Sequence, residues 1–191
     1  MSDVLTKLKG GSLDHATRVS VRRQVIETLK DPRADTLRQD VRRLLEEATD
    51  NRFRTELLEI IGSARDQLLE DAVKKVINTV GSAEVLQTAL TTLGKVKATG
   101  SFEILVGFLN HENPNVRLGS IYGLTALGDK RAVRYLLQRL DDQQSARCWW
   151  PSPKAGGYII GREASEAVDV IAGTKLYGDK GKIERWIAVH A

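Results

Sequence analysis

The residue types best suited to chemistry at a surface are gathered in one segment, Gln143 to Gly161, which reads QQSARCWWPSPKAGGYIIG. Tryptophan and arginine are favoured anchors at protein interfaces, and loops longer than about 12–15 residues in compact domains are usually functional or disordered. The segment therefore predicts contact with a partner, through four residues: Arg147, Trp149, Trp150 and Tyr158. The alternative interpretation is that the tryptophans pack as a plug onto the neighbouring helices.

Catalytic and metal chemistry find little support in the sequence. Cys148 is the single cysteine, which excludes an internal disulfide and a cysteine-rich zinc site. The three histidines lie far apart, without the HExxH type of spacing that would favour a metal site. The stretches Gly156-Gly157 and Gly178 to Gly181 lack the spacing of a phosphate loop. The sequence therefore predicts no catalytic residue, no metal and no cofactor, and it favours a non-enzymatic protein.

Composition and charge narrow the class of protein further. The chain has 191 residues, 41% of them hydrophobic, which is enough to form a substantial core. Its longest apolar run is only a few residues and its N-terminus lacks a signal-peptide block, so we expect no membrane span and a location in the bacterial cytoplasm. The net charge of +4 invites a nucleic-acid interpretation, but residues 1–50, 51–100, 101–150 and 151–191 each have an excess of one positive residue. A basic surface would have to be assembled by folding.

The candidate residues are positioned by helices that repeat along the chain. The set Val116, Ser120, Ile121 and Leu124 recurs towards the N-terminus at steps of 31, 32 and 32 residues. A period between about 20 and 50 residues is typical of a solenoid, in which helix pairs stack on their neighbours. The sequence predicts one all-α superhelical domain over 1–191, with about five helix pairs and an N-terminal capping helix. The pairs are expected at 17–48, 52–80, 83–110, 114–140 and 162–190, with the loop 143–161 inserted before the last.

The period also predicts which side chains share a face of the second helices. One row contains Arg43, Lys75, Phe108 and Arg139, and the adjacent row contains Gln39, Asp71, Ile104, Tyr135 and Arg185. The helix expected at 101–110 is apolar on nearly all sides, which leaves Ile104 and Phe108 without an obvious place in the core. An exposed apolar patch often marks a partner surface, whereas a fold-back of the inserted loop would cover it. The partner-binding residues predicted here are Ile104, Phe108, Tyr135 and Arg139.

Three residues of the fourth pair have predicted structural roles. Gly119 and Gly123 lie one turn apart, and glycine within a helix costs roughly 1 kcal/mol relative to alanine. A close approach of a neighbouring helix would compensate for that cost. Arg117 is expected to bond acidic groups or carbonyls between units, because half-buried charges are normally paired.

The fourth pair reads PxVRxxSIxxLxxLGDxRAVxxLxxxL in its own residues, and it resembles a HEAT repeat of the short class first noticed in phycobilisome lyases. The closing segment AVDVIAGTKLYGDKGKIERWI is similar to the end of many bacterial HEAT arrays. The resemblance implies a right-handed superhelix, with first helices on the convex side and second helices lining the concave side. It implies no single chemistry, because one fold supports many functions.

Two classes of function follow from these observations. The first is a protein-binding adaptor or scaffold that presents a concave helical surface and an aromatic loop to another protein. The alternative is nucleic-acid binding or DNA repair, on a resemblance to the HEAT-like alkylpurine DNA glycosylases. In that case Arg43, Lys75, Tyr135 and Arg139 would line a basic groove around the carboxylate of Asp71. A phycobilin lyase or chaperone-like role is a further alternative that depends on the repeat class alone.

Overall fold

The computed structural model describes residues 2–9, 13–147 and 157–190. These residues form a run of helices and one short β-ladder, in which β1 (Ser145–Ala146) pairs antiparallel with β2 (Tyr158–Ile159). In chain order the helices are α1 (Ser2–Lys9), α2 (His15–Leu29), α3 (Asp35–Glu47), α4 (Asn51–Ala64), α5 (Glu70–Thr79), α6 (Ala83–Val96), α7 (Ser101–Phe108), α8 (Pro114–Leu127), α9 (Ala132–Leu137), α10 (Ile160–Ala172) and α11 (Lys180–His190).

The helices stack as pairs in chain order, which confirms the predicted all-α solenoid. Successive first helices contact each other along the chain, in the order α2, α4, α6, α8 and α10. Among the second helices, α3 contacts α5, and α9 contacts both α7 and α11. None of the described helices is long and apolar enough to cross a membrane.

The N-terminal end of the stack is covered by α1, as the sequence predicted. Leu5 and Leu8 are fully buried, and α1 contacts both helices of the first pair. A solenoid needs such a cap because the outer face of its first pair has no preceding unit on which to pack.

Glycine allows the third and fourth pairs to approach each other closely. A Cβ atom added to Gly119 would lie 2.5 Å from the carbonyl oxygen of Gln87 in α6, and one added to Gly123 would lie 2.6 Å from that of Leu90. On the facing helix, a Cβ on Gly94 would meet the backbone of Gly123. The expected close approach at Gly119 and Gly123 is therefore confirmed, and α6 and α8 pack backbone against backbone.

Four of the five first helices end in a left-handed residue, and these residues are of two kinds. Helices α8 and α10 end at Gly128 and Gly173, with φ of 74° and 69°, where glycine has no steric cost. Helices α4 and α6 end at Arg65 and Lys97, each with a φ of 53°. The left-handed conformation costs a residue with a Cβ roughly 1–2 kcal/mol.

Partly buried ion pairs join the first helices of the first two pairs. Arg18 of α2 bonds Glu56 of α4, whose side chain is 6% exposed. One turn along, Arg22 Nη2 lies 2.8 Å from Glu59 Oε2. Burial raises the pKa of the Glu59 carboxyl above its ordinary value, and the Arg22 guanidinium offsets only part of that effect.

The raised pKa of Glu59 predicts a pH-dependent contribution to stability. A group whose pKa is higher in the folded protein favours folding most below its unfolded pKa, and that contribution disappears as the pH rises through the folded pKa. The wild-type free energy of unfolding should therefore fall relative to that of Glu59→Gln as the pH rises from about 4 towards 7. Urea denaturation across this pH range measures the difference.

Glu27→Gln provides the matched control for Glu59→Gln. Glu27 is 62% exposed and pairs with Lys30 on the surface of α2. Its replacement should leave the pH dependence almost unchanged, since exposed ion pairs contribute little. Equal pH profiles for wild type and Glu59→Gln would show that burial does not act on this carboxyl.

Candidate partner-binding surface

Four of the eight residues predicted to bind a partner lie on the second helices α7 and α9 and on the turn that follows α9. We call Ile104, Phe108, Tyr135 and Arg139 the second-helix patch. All four are half-buried: Ile104, Phe108 and Tyr135 pack against the core on one side, and all four keep part of their surface accessible. Tyr135 and Arg139 are four residues apart, and α7 contacts α9, so the two elements that carry the patch are neighbours.

Aromatic rings and a guanidinium fix the geometry at one edge of the patch. The Tyr135 ring meets the buried Phe102 ring edge-on, with centroids 5.8 Å apart. The Arg131 guanidinium carbon lies 4.1 Å from the centroid of the same Phe102 ring, and Arg131 Nη2 lies 2.6 Å from Asp129 Oδ2. Hydrogen bonds from Arg131 hold the pKa of Asp129 below its usual range. Tyr135 is thus held in place by packing before any partner arrives.

Charge at the other edge of the patch is available for binding. Arg139 makes no ion pair with any residue that the structure describes. The Phe108 ring stacks on His111, with centroids 6.0 Å apart. The patch therefore combines half-exposed apolar and aromatic surface with a guanidinium that no described residue neutralises.

The base of the inserted segment differs from the single loop predicted over 143–161. Its two ends pair as β1 and β2, with Ala146 opposite Tyr158, and α10 begins at Ile160 directly after the ladder. The sequence signal for this pairing was the apolar run Tyr158-Ile159-Ile160 after a pair of glycines. The insertion is therefore anchored at both ends on α8 and α10.

The four residues predicted as contacts of the insertion have different positions. Tyr158 is buried, and its ring meets that of Tyr122 edge-on at 6.4 Å. Little of the Tyr158 ring is accessible, so this residue packs at the base of the insertion and offers a partner little surface. Arg147 is exposed, and its backbone N–H donates to Asn115 Oδ1 at 2.7 Å. Trp149, Trp150 and the neighbouring Cys148 lie outside the described residues.

Sequence reasoning missed a buried polar contact beneath the insertion. The Tyr122 hydroxyl donates to Glu163 Oε2 at 3.0 Å, and the Glu163 side chain is almost wholly buried. This bond joins α8 to α10 across the insertion point. The two residues are 41 positions apart, so no local pattern could have revealed them.

The residues of the nucleic-acid alternative are separated and partly neutralised. Arg43 pairs with Asp40 at 3.3 Å and Glu47 at 3.5 Å, and Lys75 pairs with Glu46 at 3.0 Å. Both cations lie on α3 and α5, whereas Tyr135 and Arg139 belong to the fourth pair. A shallow groove of about 280 Å³ beside Lys75 also carries the carboxylate of Glu46. Asp71 is exposed on α5, so no enclosed site forms around it.

The described residues contain no cluster of three histidine, cysteine or acidic side chains that could hold a metal ion. What they provide is a helical scaffold with a shallow, mixed apolar and cationic surface. The fold and this surface define a helical-repeat protein of the solenoid class.

Comparison with known protein families agrees with this class. Residues 71–148 match the family model for HEAT repeats, so this part of the chain is similar to HEAT repeats. A search of the curated proteins found no match to the chain. The matched range covers the third and fourth helix pairs, which carry the second-helix patch. HEAT repeats are commonly scaffolds for protein interactions.

Proposed function

We propose that the protein is a non-enzymatic adaptor or scaffold that binds another protein through the second-helix patch. The observation that carries this proposal is the half-exposed set of Ile104, Phe108 and Tyr135 beside Arg139, which makes no ion pair with the residues that the structure describes. Aromatic residues and arginine are enriched in interface cores and among the residues that contribute most to binding. A protein partner would cover the apolar surface and supply a carboxylate for Arg139.

The shape of the surface favours a macromolecular partner over a small molecule. Pockets for small ligands are concave and bury most of the ligand's surface. The patch lies on the accessible sides of neighbouring helices, and its aromatic rings are already positioned by Phe102 and His111. A pre-positioned surface loses little side-chain entropy on binding, which favours affinity.

The proposal extends to the insertion and to the class of the protein. Arg147, Trp149 and Trp150 are proposed as a second contact region, on the composition of the segment. We also propose a location in the bacterial cytoplasm. The motif of the fourth pair supports a closer relationship to the short HEAT repeats of the phycobilisome-lyase type.

The experiment that tests the adaptor function compares variants against a purified partner. Immobilised wild-type protein captures candidates from a lysate of its native host, and each candidate is then purified and titrated by calorimetry. Phe108→Ala combined with Arg139→Ala should weaken binding at least about 30-fold, because residues that dominate an interface contribute about 2 kcal/mol or more. Arg139→Glu alone should also weaken binding, and it should leave the packing of the core unchanged.

Arg43→Ala is the matched control, because Arg43 occupies the position in the first pair that corresponds to Arg139 in the fourth. It should bind the partner as the wild type does. Circular dichroism should show the same helical signal and melting transition for Arg139→Glu as for the wild type. A partner that binds all these variants equally would refute the assignment of this surface.

A further inference from the structure

A second surface, distinct from the second-helix patch, lies where three consecutive first helices end. A shallow groove of about 310 Å³ opens between the C-terminal ends of α4, α6 and α8. We call it the terminal groove. It is lined by Gly62, Ser63, Arg65, Lys95, Lys97 and Ala126.

The lining of the terminal groove has one sign of charge. Arg65, Lys95 and Lys97 are all exposed, and none makes an ion pair within the described part of the chain. The other lining residues are small, and Ser63 adds an exposed hydroxyl. Among the described residues no carboxylate belongs to the lining, although the partly buried Glu59 of α4 lies close enough to Lys95 for the two charges to interact. In the groove beside Lys75, by contrast, Glu46 pairs directly with the cation. The terminal groove therefore concentrates three positive charges from two neighbouring units.

The left-handed backbone conformation of Arg65 and Lys97 indicates that their side chains have a role that glycine could not fill. Both residues end their helices in the left-handed conformation, which glycine occupies at the corresponding ends of α8 and α10. Their backbone N–H groups bond the carbonyls of Ile61 and Gly94, which glycine would do equally well. Strained residues of this kind persist where another role outweighs the strain. A cation near a helix C-terminus also interacts favourably with the exposed carbonyls of that end. Arg65 and Lys97 could therefore serve only to stabilise their helices, and the experiment below tests that explanation separately.

We propose that the terminal groove binds the phosphate backbone of a nucleic acid. Lysine, arginine and serine side chains are the usual partners of phosphate oxygens, and such contacts need no base-reading residues. Recognition of a peptide depends on apolar pockets, a sheet edge or a helix-binding groove, and Ala126 is the one apolar side chain in the lining. This inference goes beyond the adaptor function and is independent of it, because the second-helix patch is formed by α7 and by α9 with its following turn.

The test uses Arg65→Gly combined with Lys97→Gly, because glycine fits the left-handed backbone. Binding of a short labelled duplex of DNA, and separately of RNA, is followed by fluorescence anisotropy between about 50 and 200 mM salt. Removing two phosphate contacts should lower the slope of log affinity against log salt by about 2. The melting temperature should stay equal or rise, since the backbone strain is relieved.

Arg23→Ala combined with Arg52→Ala is the charge-matched control. Both residues are exposed, and Arg52 lies at the opposite end of α4, roughly 20 Å from Arg65 at 1.5 Å per residue. This control should change the salt slope far less than the glycine variant. Arg65→Asn with Lys97→Asn repeats the test with another residue that tolerates the left-handed conformation.

Four outcomes would overturn the proposal. The first is no binding of either duplex at low salt, and the second is an equal loss of slope in the control variant. The third is binding of polyglutamate in place of both duplexes, which would assign the groove to an acidic protein. The fourth is a lowered melting temperature with unchanged nucleic-acid binding, which would show that Arg65 and Lys97 serve only the helix ends.

Discussion

Gly94→Ala is expected to lower the free energy of unfolding by about 3 kcal/mol or more, which is at least the upper end of the usual cost of overpacking. The added Cβ would lie 2.5 Å from the carbonyl carbon and 2.6 Å from the Cα of Gly123, and it would also meet the carbonyl oxygen of that residue. All three atoms belong to backbone inside α8, so relief requires the two helices to separate. Alanine's better helix propensity, about 1 kcal/mol, offsets only part of the cost. Denaturation in urea measures the change.

Gly107→Ala is the control for this prediction. Gly107 lies in α7, and a Cβ added there would meet nothing within 4 Å. Its replacement should stabilise the protein by about 0.4–1 kcal/mol, because alanine reduces the entropy of the unfolded chain and favours the helix. If Gly94→Ala were as stable as Gly107→Ala, then α6 and α8 would not pack backbone against backbone.

The repeat made most of the fold predictable from the sequence. Val116, Ile121 and Leu124 are all fully buried. Their apolar spacing recurs in each pair because every pair must bury the same face against its neighbours. Gly119 and Gly123 were predictable for the same reason, since glycine inside a helix needs compensation. Their counterpart Gly94 was not singled out, because its importance depends on which residue faces it across the helix interface.

The candidate surfaces were predictable only in part. The half exposure of Phe108 followed from a helix with more apolar residues than one buried face can hold. The burial of Tyr158 did not, because it depends on the pairing of β1 with β2 and on Tyr122 of another helix. The strain at Arg65 and Lys97 was also invisible, since nothing in a residue's type reveals a positive φ.

Arg117→Met is expected to lower the free energy of unfolding by about 3–5 kcal/mol, the cost of breaking a buried ion pair from one side. Arg117 Nε lies 2.9 Å from Asp142 Oδ2, and both side chains are largely buried. The same guanidinium donates to the carbonyl oxygens of His111 and Glu112 and to Gln144 Oε1. The expected pairing of Arg117 with acidic groups and carbonyls is confirmed, and its loss would leave the largely buried Asp142 carboxylate without its cation and several part-buried acceptors without a donor.

A double-mutant cycle separates the ion pair from the other bonds of Arg117. Asp142→Asn keeps an acceptor for the backbone N–H of Gln144, 3.1 Å from Oδ1, but removes the charge. If the buried charge dominates, Arg117→Met combined with Asp142→Asn should cost clearly less than the sum of the two single changes. The exposed Arg131 is the control, and Arg131→Ala should cost no more than about 1 kcal/mol. Additive costs in the cycle would assign the effect to the hydrogen bonds with the carbonyls of His111 and Glu112. Arg117 would then stabilise the turn that precedes α8 and not the base of the insertion.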